Sequence, residues 1–308
     1  MITYVRGNIF ESPASTLVNT VNTGGVMGRG IAAEFKRLYP EMFKQYRIIC
    51  EEQKLTIGTL WLYPTEHKSV LNFPTKESWR RPSKLEYIEE GLRTFMKTYE
   101  RVGISSIAFP ALGCGNGGLD FDTQVRPLME NYLKRVAASV FIYPHQGSGY
   151  LPEHLTPEEM SSWLRTAPEQ LSFLEVWEDL RNLLNGRQTF ETFSKGTQFS
   201  AQMVDEPKGV HIRRSGGKQS TILYEDILDF WQQLRSFGFT SSRSAPAKLS
   251  RDVSYIAPIL AALEYIRPVR IAEDFVGEED FEREAEYALQ VVPRAGKAGS
   301  QLDLMATA

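Results

Sequence analysis

Val18–Ile31, VNTVNTGGVMGRGI, is the stretch whose reading decides the fold. It begins as an apolar, β-branched segment, passes through Asn19 and Asn22 into a glycine-rich turn, and leads into the helical pattern Ile31–Leu38. A second stretch, Ala111–Leu119 (ALGCGNGGL), repeats the arrangement: it follows the apolar run Ile104–Pro110 and precedes the helical pattern Thr123–Val136. Glycine lets a backbone approach an anion closely, and a helix start offers unpaired N–H groups with partial positive charge. Two such turns, each leaving a strand and entering a helix, predict a phosphate-bearing ligand.

Working outward, the first half alternates. Ile2–Arg6, Thr16–Asn22, Gly58–Tyr63, Ser69–Phe73, Ile104–Pro110 and Ala138–Tyr143 read as short strands, and Ile31–Leu38, Pro40–Gln53, Lys84–Val102 and Thr123–Val136 as helices. Near-continuous apolar strands alternating with helices predict a three-layer α/β/α domain around a mixed, mostly parallel sheet. Ligands bind such sheets beyond the carboxyl ends of the strands, where both glycine turns fall.

The rhythm changes after His145–Gly149. Leu155–Ala167, Glu169–Asn185, Tyr224–Ser236 and Ser254–Tyr265 read as helices, and Val210–Arg214 as a strand before the turn Ser215–Gly217. The expectation is a domain over 1–152, a smaller, mainly helical α+β domain over 153–294, and a disordered tail over 295–308. Glu273–Glu286 carries eight acids against one arginine, interleaved with Phe275, Val276 and Phe281. Such a run is either a solvated face or a mimic of a nucleic-acid strand.

Composition narrows the class. At 308 residues with 42% hydrophobic and 11% aromatic content, the chain can build two cores. No run of about 18 apolar residues argues for a membrane span, and ITYV follows Met1 directly, without a signal-peptide pattern. Cys50 and Cys114, without paired spacing, point to a reducing cytoplasm. Four scattered histidines have no metal-ligand spacing, so no metal is expected. Residues 1–150 hold 18 Lys/Arg against 14 Asp/Glu, while the remainder holds 17 against 24. The first half therefore suits a polyanionic substrate better than the second.

The glycines do not follow the dinucleotide fingerprint, and no GK[ST] of a P-loop occurs. Instead GNIF (Gly7–Phe10), VNTVNTGGVMGRGIA (Val18–Ala32), NFPTK (Asn72–Lys76) and ALGCGNGGL occur in an order that resembles the macrodomain, an ADP-ribose-binding module. More narrowly, NFPTKESWRRPS followed by GCGNGGLDF is similar to the macrodomain of DarG-type antitoxins, which remove ADP-ribose from thymidine in DNA modified by a DarT-type toxin. HIRRSGG, LYEDILDFWQQLRSFGF and SYIAPILAALEYIRP (within 210–268) resemble the toxin-binding domain of that family.

The resemblance implies roles. Asn8 and Ile9 would meet the adenine, where many macrodomains have an aspartate at the position of Asn8. Thr20, Val21, Asn22 and Ile31 would line the distal ribose and diphosphate, with Gly25, Gly28 and Gly30 keeping that wall low. Thr75 joins the ligand-binding set, and Gly113, Cys114, Gly115, Asn116 and Gly117 would wrap the diphosphate. Cys114 reads as a small turn residue and not as a catalytic thiol.

Lys76 is the candidate catalytic residue, since a lysine beside an anomeric carbon can act as nucleophile or as proton-transfer group. Neighbouring cations, here Arg80 and Arg81, tune such a lysine. Related lysine mechanisms can add an aspartate in the second glycine loop, but Gly117 stands there and the nearest acid is Asp120. Trp79, Arg80, Arg81 and Lys84 form a candidate DNA-binding patch, Trp79 stacking a splayed base or else packing beneath the following helix.

The implied function is an antitoxin hydrolysing ADP-ribose from thymidine in single-stranded DNA and neutralising a DarT-type DNA ADP-ribosyltransferase through its second domain. ADP-ribose is substrate and product, with no cofactor. The alternatives are a non-catalytic ADP-ribose reader and a hydrolase of protein-linked ADP-ribose.

Overall fold

The computed structural model describes residues 1–144, 152–272 and 285–292. Most of the acidic run and the whole tail lie outside the described residues, as does the segment 145–151. The chain divides into two compact units, Met1–Ser161 and Ser162–Ala308.

The first unit is built on six strands: β1 (Ile2–Tyr4), β2 (Thr16–Asn22), β3 (Trp61–Pro64), β4 (Ser69–Lys76), β5 (Ser106–Pro110) and β6 (Ser139–Tyr143). Their spatial order is β1-β6-β5-β2-β4-β3, and only the β3–β4 pairing is antiparallel. Helices α1 (Gly30–Leu38), α2 (Pro40–Glu51), α3 (Leu85–Thr98) and α4 (Arg126–Leu133) connect them.

Alternation along the central strands feeds two cores. Val18, Leu71, Phe73, Phe109 and Ile142 pack with Ile88, Leu92 and Phe95 of α3 and Met129 of α4. Leu17, Val21, Val70 and Ala108 pack with Phe35 of α1 and with Met42, Phe43 and Tyr46 of α2. The sheet is thus covered on both faces, giving the three expected layers. Pro40 starts α2, where its missing N–H costs nothing. Pro127 likewise sits in the first turn of α4, after a π-helical turn at Phe121–Val125.

The second unit is α+β and richer in strands than a mainly helical reading. β7 (Gln188–Glu191), β8 (Gln198–Asp205), β9 (Lys208–Arg214) and β10 (Gln219–Leu223) form an antiparallel meander. β11 (Phe239–Ser241), β12 (Ile266–Ile271) and β13 (Glu286–Val291) form a second sheet, in the order β11-β13-β12. With α6 (Phe173–Leu183), α7 (Tyr224–Phe237) and α8 (Val253–Leu260) they enclose a core that includes Phe173, Trp231 and Ile256. Arg165 grips Asp179 through two hydrogen bonds of 2.6 and 3.0 Å, and Tyr265 donates to the same carboxylate at 2.8 Å. Burial, with the Asp179 charge next, pushes the Tyr265 hydroxyl well above its usual range.

The division at Ser161 falls nine residues beyond the expected boundary at 152/153. The reason is a 3-10 turn, Glu153–Leu155, and the start of α5 (Pro157–Leu164), whose side chains bind residues of the first unit.

Gly91 carries the contact of α3 with the sheet. A methyl there would stand 2.2 Å from Cζ of the fully buried Phe73. Gly91→Ala therefore trades a helix-propensity gain of about 1 kcal/mol against overpacking of about 1–3 kcal/mol or more. We expect net destabilisation, read as a lower urea midpoint with unchanged slope; an unchanged or raised midpoint would show that α3 can shift.

Candidate functional site: a cleft between two glycine loops

β2 and β4 run parallel in register from Thr16↔Ser69, and the register slips between Val21 and Asn22, pairing Asn22 with Lys76. The extra residue is Thr75, so a bulge re-aims the end of β4. Pro74, which cannot donate to a ladder, is tolerated because the other neighbour, β3, stops pairing at Asn72. Lys76 is therefore the last residue of a strand that the sequence reading ends at Phe73.

The first glycine loop is organised from within by Asn22. Its Oδ1 accepts from the backbone N–H of Gly24 (2.9 Å) and Val26 (3.3 Å), and its Nδ2 donates to the Val26 carbonyl at 2.7 Å. Tyr46 donates to the Asn22 carbonyl. The loop runs into α1, whose first turn has no side-chain cap. Gly30 has φ +62°, and a methyl on it would stand 2.7 Å from Asn116 Nδ2 of the second loop. The left-handed backbone favours glycine there, and any larger residue would also have to displace the tip of the Asn116 side chain. In the second loop, Gly113 and Gly115 also take left-handed conformations, at φ +68° and +58°.

Between the loops lies a cleft of about 460 Å³, counting its solvent-open mouth. It brings together Thr20, Val21, Asn22, Gly28 and Ile31 from the first strand and loop, Thr75 and Lys76 from β4, and Gly113, Cys114, Asn116 and Gly117 from the second loop. Asn8, Ile9, Gly25, Gly30 and Gly115 do not line it. Asn8 instead caps the 3-10 turn Ile9–Glu11, accepting from the Phe10 N–H, while Ile9 is buried in the core beneath α1 and α2. The sequence reading missed Val26, Arg29, Ala32 and Glu153. Arg29 sits inside the glycine motif itself; Glu153 lies 77 residues from Lys76 and carries no local signal.

Lys76 is 6% exposed. Its ammonium donates to Glu153 Oε2 at 2.9 Å and to the Asn116 carbonyl at 3.3 Å. The carboxylate beside it is thus Glu153. Arg81 pairs with Glu77 (3.5 Å), and the Arg80 guanidinium lies 4.2 Å over the Trp79 ring. Asp120, the acid nearest in sequence to the second loop, spends its carboxylate on the N–H and hydroxyl of Thr123, which hold it below the usual carboxylate range. Burial, and then the Asp120 and Asp122 charges, push the Cys114 thiol up to about 12. It carries almost no thiolate near neutrality, as a non-nucleophilic turn residue would.

The patch beyond Lys76 needs one correction. Trp79 is only 1% exposed, so it cannot stack a splayed base. Arg81 and Lys84 are exposed and Arg80 partly so, and these cations are what the patch presents. Among the described residues, no three or more His, Cys, Asp or Glu side chains are grouped so that they could hold a metal ion, and no helix is long and apolar enough to cross a membrane.

Comparison with known proteins fits this geometry. Residues 18–127 match the family model described as Macro domain. A DNA ADP-ribosyl glycohydrolase of Mycobacterium tuberculosis is 39% identical over 191 residues, covering 58% of this chain and 54% of that protein. A DNA ADP-ribosyl transferase-DNA ADP-ribosyl glycohydrolase fusion protein of Thermosipho africanus is 37% identical over 161 residues, covering 46% of this chain and 41% of that one. The solved macrodomain of Thermus aquaticus DarG is 40% identical, covering 47% of this chain and 99% of the solved one, with a TM-score of 0.45. The chain spans about half the length of the curated relatives it matches. On the family match, residues 18–127 of the first unit form a Macro domain, and the identities make that unit similar to macrodomains of the DarG type.

Proposed function

We propose that this chain removes ADP-ribose from ADP-ribosylated thymidine in single-stranded DNA, with Lys76 acting at the anomeric carbon. The observation that carries the reading is the burial of the Lys76 ammonium in the wall of the cleft, at the end of β4 between two glycine loops. Burying a charged lysine is costly unless it is paired and hydrogen-bonded. Glu153 and the Asn116 carbonyl offset much of that cost, and a reader that only holds ADP-ribose needs no lysine beside the ligand. The relatives named as DNA ADP-ribosyl glycohydrolases support the substrate class.

In this reading the backbone of the second loop and the uncapped start of α1 receive the diphosphate, a role suited to glycine-rich turns and first-turn amides. Thr20, Val21, Asn22 and Ile31 form the opposite wall against the distal ribose. Lys76 then meets the bond joining that ribose to the base, as nucleophile or as proton-transfer group. Arg80, Arg81 and Lys84 receive the phosphates of the flanking strand, which makes turnover weaken with added salt.

The second unit, in the same reading, binds and neutralises a DNA ADP-ribosyltransferase. The fusion of both activities in one Thermosipho africanus protein supports a functional pairing. The acidic run within Glu273–Glu286 is suited to the basic groove of a DNA-modifying partner.

Two measurements test these proposals. Purified chain and its Lys76→Ala variant are incubated with thymidine-ADP-ribosylated single-stranded DNA, and released ADP-ribose is followed. Loss of about 10²–10⁴ in rate is expected for removal of an acid–base or nucleophilic group. Affinity for free ADP-ribose should be largely kept; full turnover by the variant would remove the lysine from the mechanism. Separately, residues 162–308 should bind the transferase as tightly as the whole chain does, and a fragment that fails to bind would place the contact elsewhere.

A further inference from the structure

We propose that Glu153 is the positioning residue for Lys76, an inference that rests on the hydrolase reading above. The second glycine loop offers no acid to the lysine: Gly117 lines the cleft there, and Asp120 is committed to Thr123. The carboxylate arrives from the other side, on the 3-10 turn Glu153–Leu155 that follows the last strand of the sheet. Glu153 is 4% exposed, lines the same cleft as Lys76, and accepts from its ammonium at 2.9 Å.

Two features separate this pair from an ordinary structural salt bridge. First, both partners face the cleft, so the lysine is held at the ligand and not away from it. Second, the turn is seated independently of the pair. Arg29, another wall residue, pairs with Glu159 at 3.0 Å and donates to Thr156 Oγ1 at 3.4 Å. The Thr156 N–H closes the turn on the Glu153 carbonyl at 3.2 Å. The turn that presents the carboxylate thus has contacts to Arg29 that do not pass through Lys76. Together with the Asn116 carbonyl at 3.3 Å, the carboxylate gives the ammonium two acceptors and one direction. Orientation of this kind is worth about 10²-fold when an attacking group is displaced by about 1 Å.

Glu153→Gln keeps an acceptor of the same shape and removes the charge; Glu153→Asp keeps the charge and shortens its reach. Each is assayed beside the parent and Lys76→Ala on ADP-ribosylated single-stranded DNA, with ADP-ribose affinity measured by calorimetry and folding by thermal melt. Glu153→Gln is expected to lose about 10²-fold in kcat, with KM and ADP-ribose affinity little changed, and Glu153→Asp to recover part of the loss. Three results would overturn the proposal: unchanged kcat, a rise in KM alone, or tighter ADP-ribose binding with faster turnover, which would make Glu153 a plug. A lower melting temperature at full kcat would make the pair structural only. An inactive parent marks failure of the hydrolase reading itself, whereas an active Lys76→Ala removes the lysine from the mechanism and with it the group that Glu153 would position. An active parent with an inactive Lys76→Ala isolates the question to Glu153.

Discussion

The parallel pairing of β2 with β4 is the constraint on which the first unit depends. Both strands end at one level, so the loop after one and the lysine at the tip of the other enter the same space. Deep in that pairing Asn19 donates to Asn72 across the ladder at 2.9 Å. A buried amide pair fixes register more sharply than apolar side chains can, because a slip by one residue would strand polar groups in two hydrophobic cores. The single slip that does occur, at Thr75, lies beyond the amide pair and turns the lysine into the cleft.

Much of this architecture is legible in the sequence alone. The glycine runs fall where strands hand over to helices, and Gly30, Gly113 and Gly115 take a left-handed backbone that other residues resist. The apolar segments between them were continuous enough to announce strands covered on both faces. Other features were not legible, each for a physical reason. Trp79 looked available because its neighbours are polar and cationic, yet its side chain turns inward and the adjacent arginine covers it. Periodicity reports which residues are apolar, and does not reveal that a polar turn hides one. Glu153 was invisible because an ion pair across 77 positions leaves no local mark.

The second unit shows the same limit from another direction. Gln188–Glu206 has aromatic residues without a clear period, and forms two strands in which Phe190 and Phe199 face each other across the ladder. A cross-strand pair is a relation between two segments, so neither segment alone displays it. The helices of this unit were easier to find because their partners lie three and four positions away in the same segment.

Asn116 has two neighbours that belong to different tasks. Its side chain abuts the glycine of the first loop, and its carbonyl accepts from Lys76. In the proposed function the first of these neighbours belongs to holding the ligand and the second to orienting the lysine. A displacement of the first loop would therefore reach the ammonium through one residue, and by reciprocity a displacement of the lysine would reach the loop.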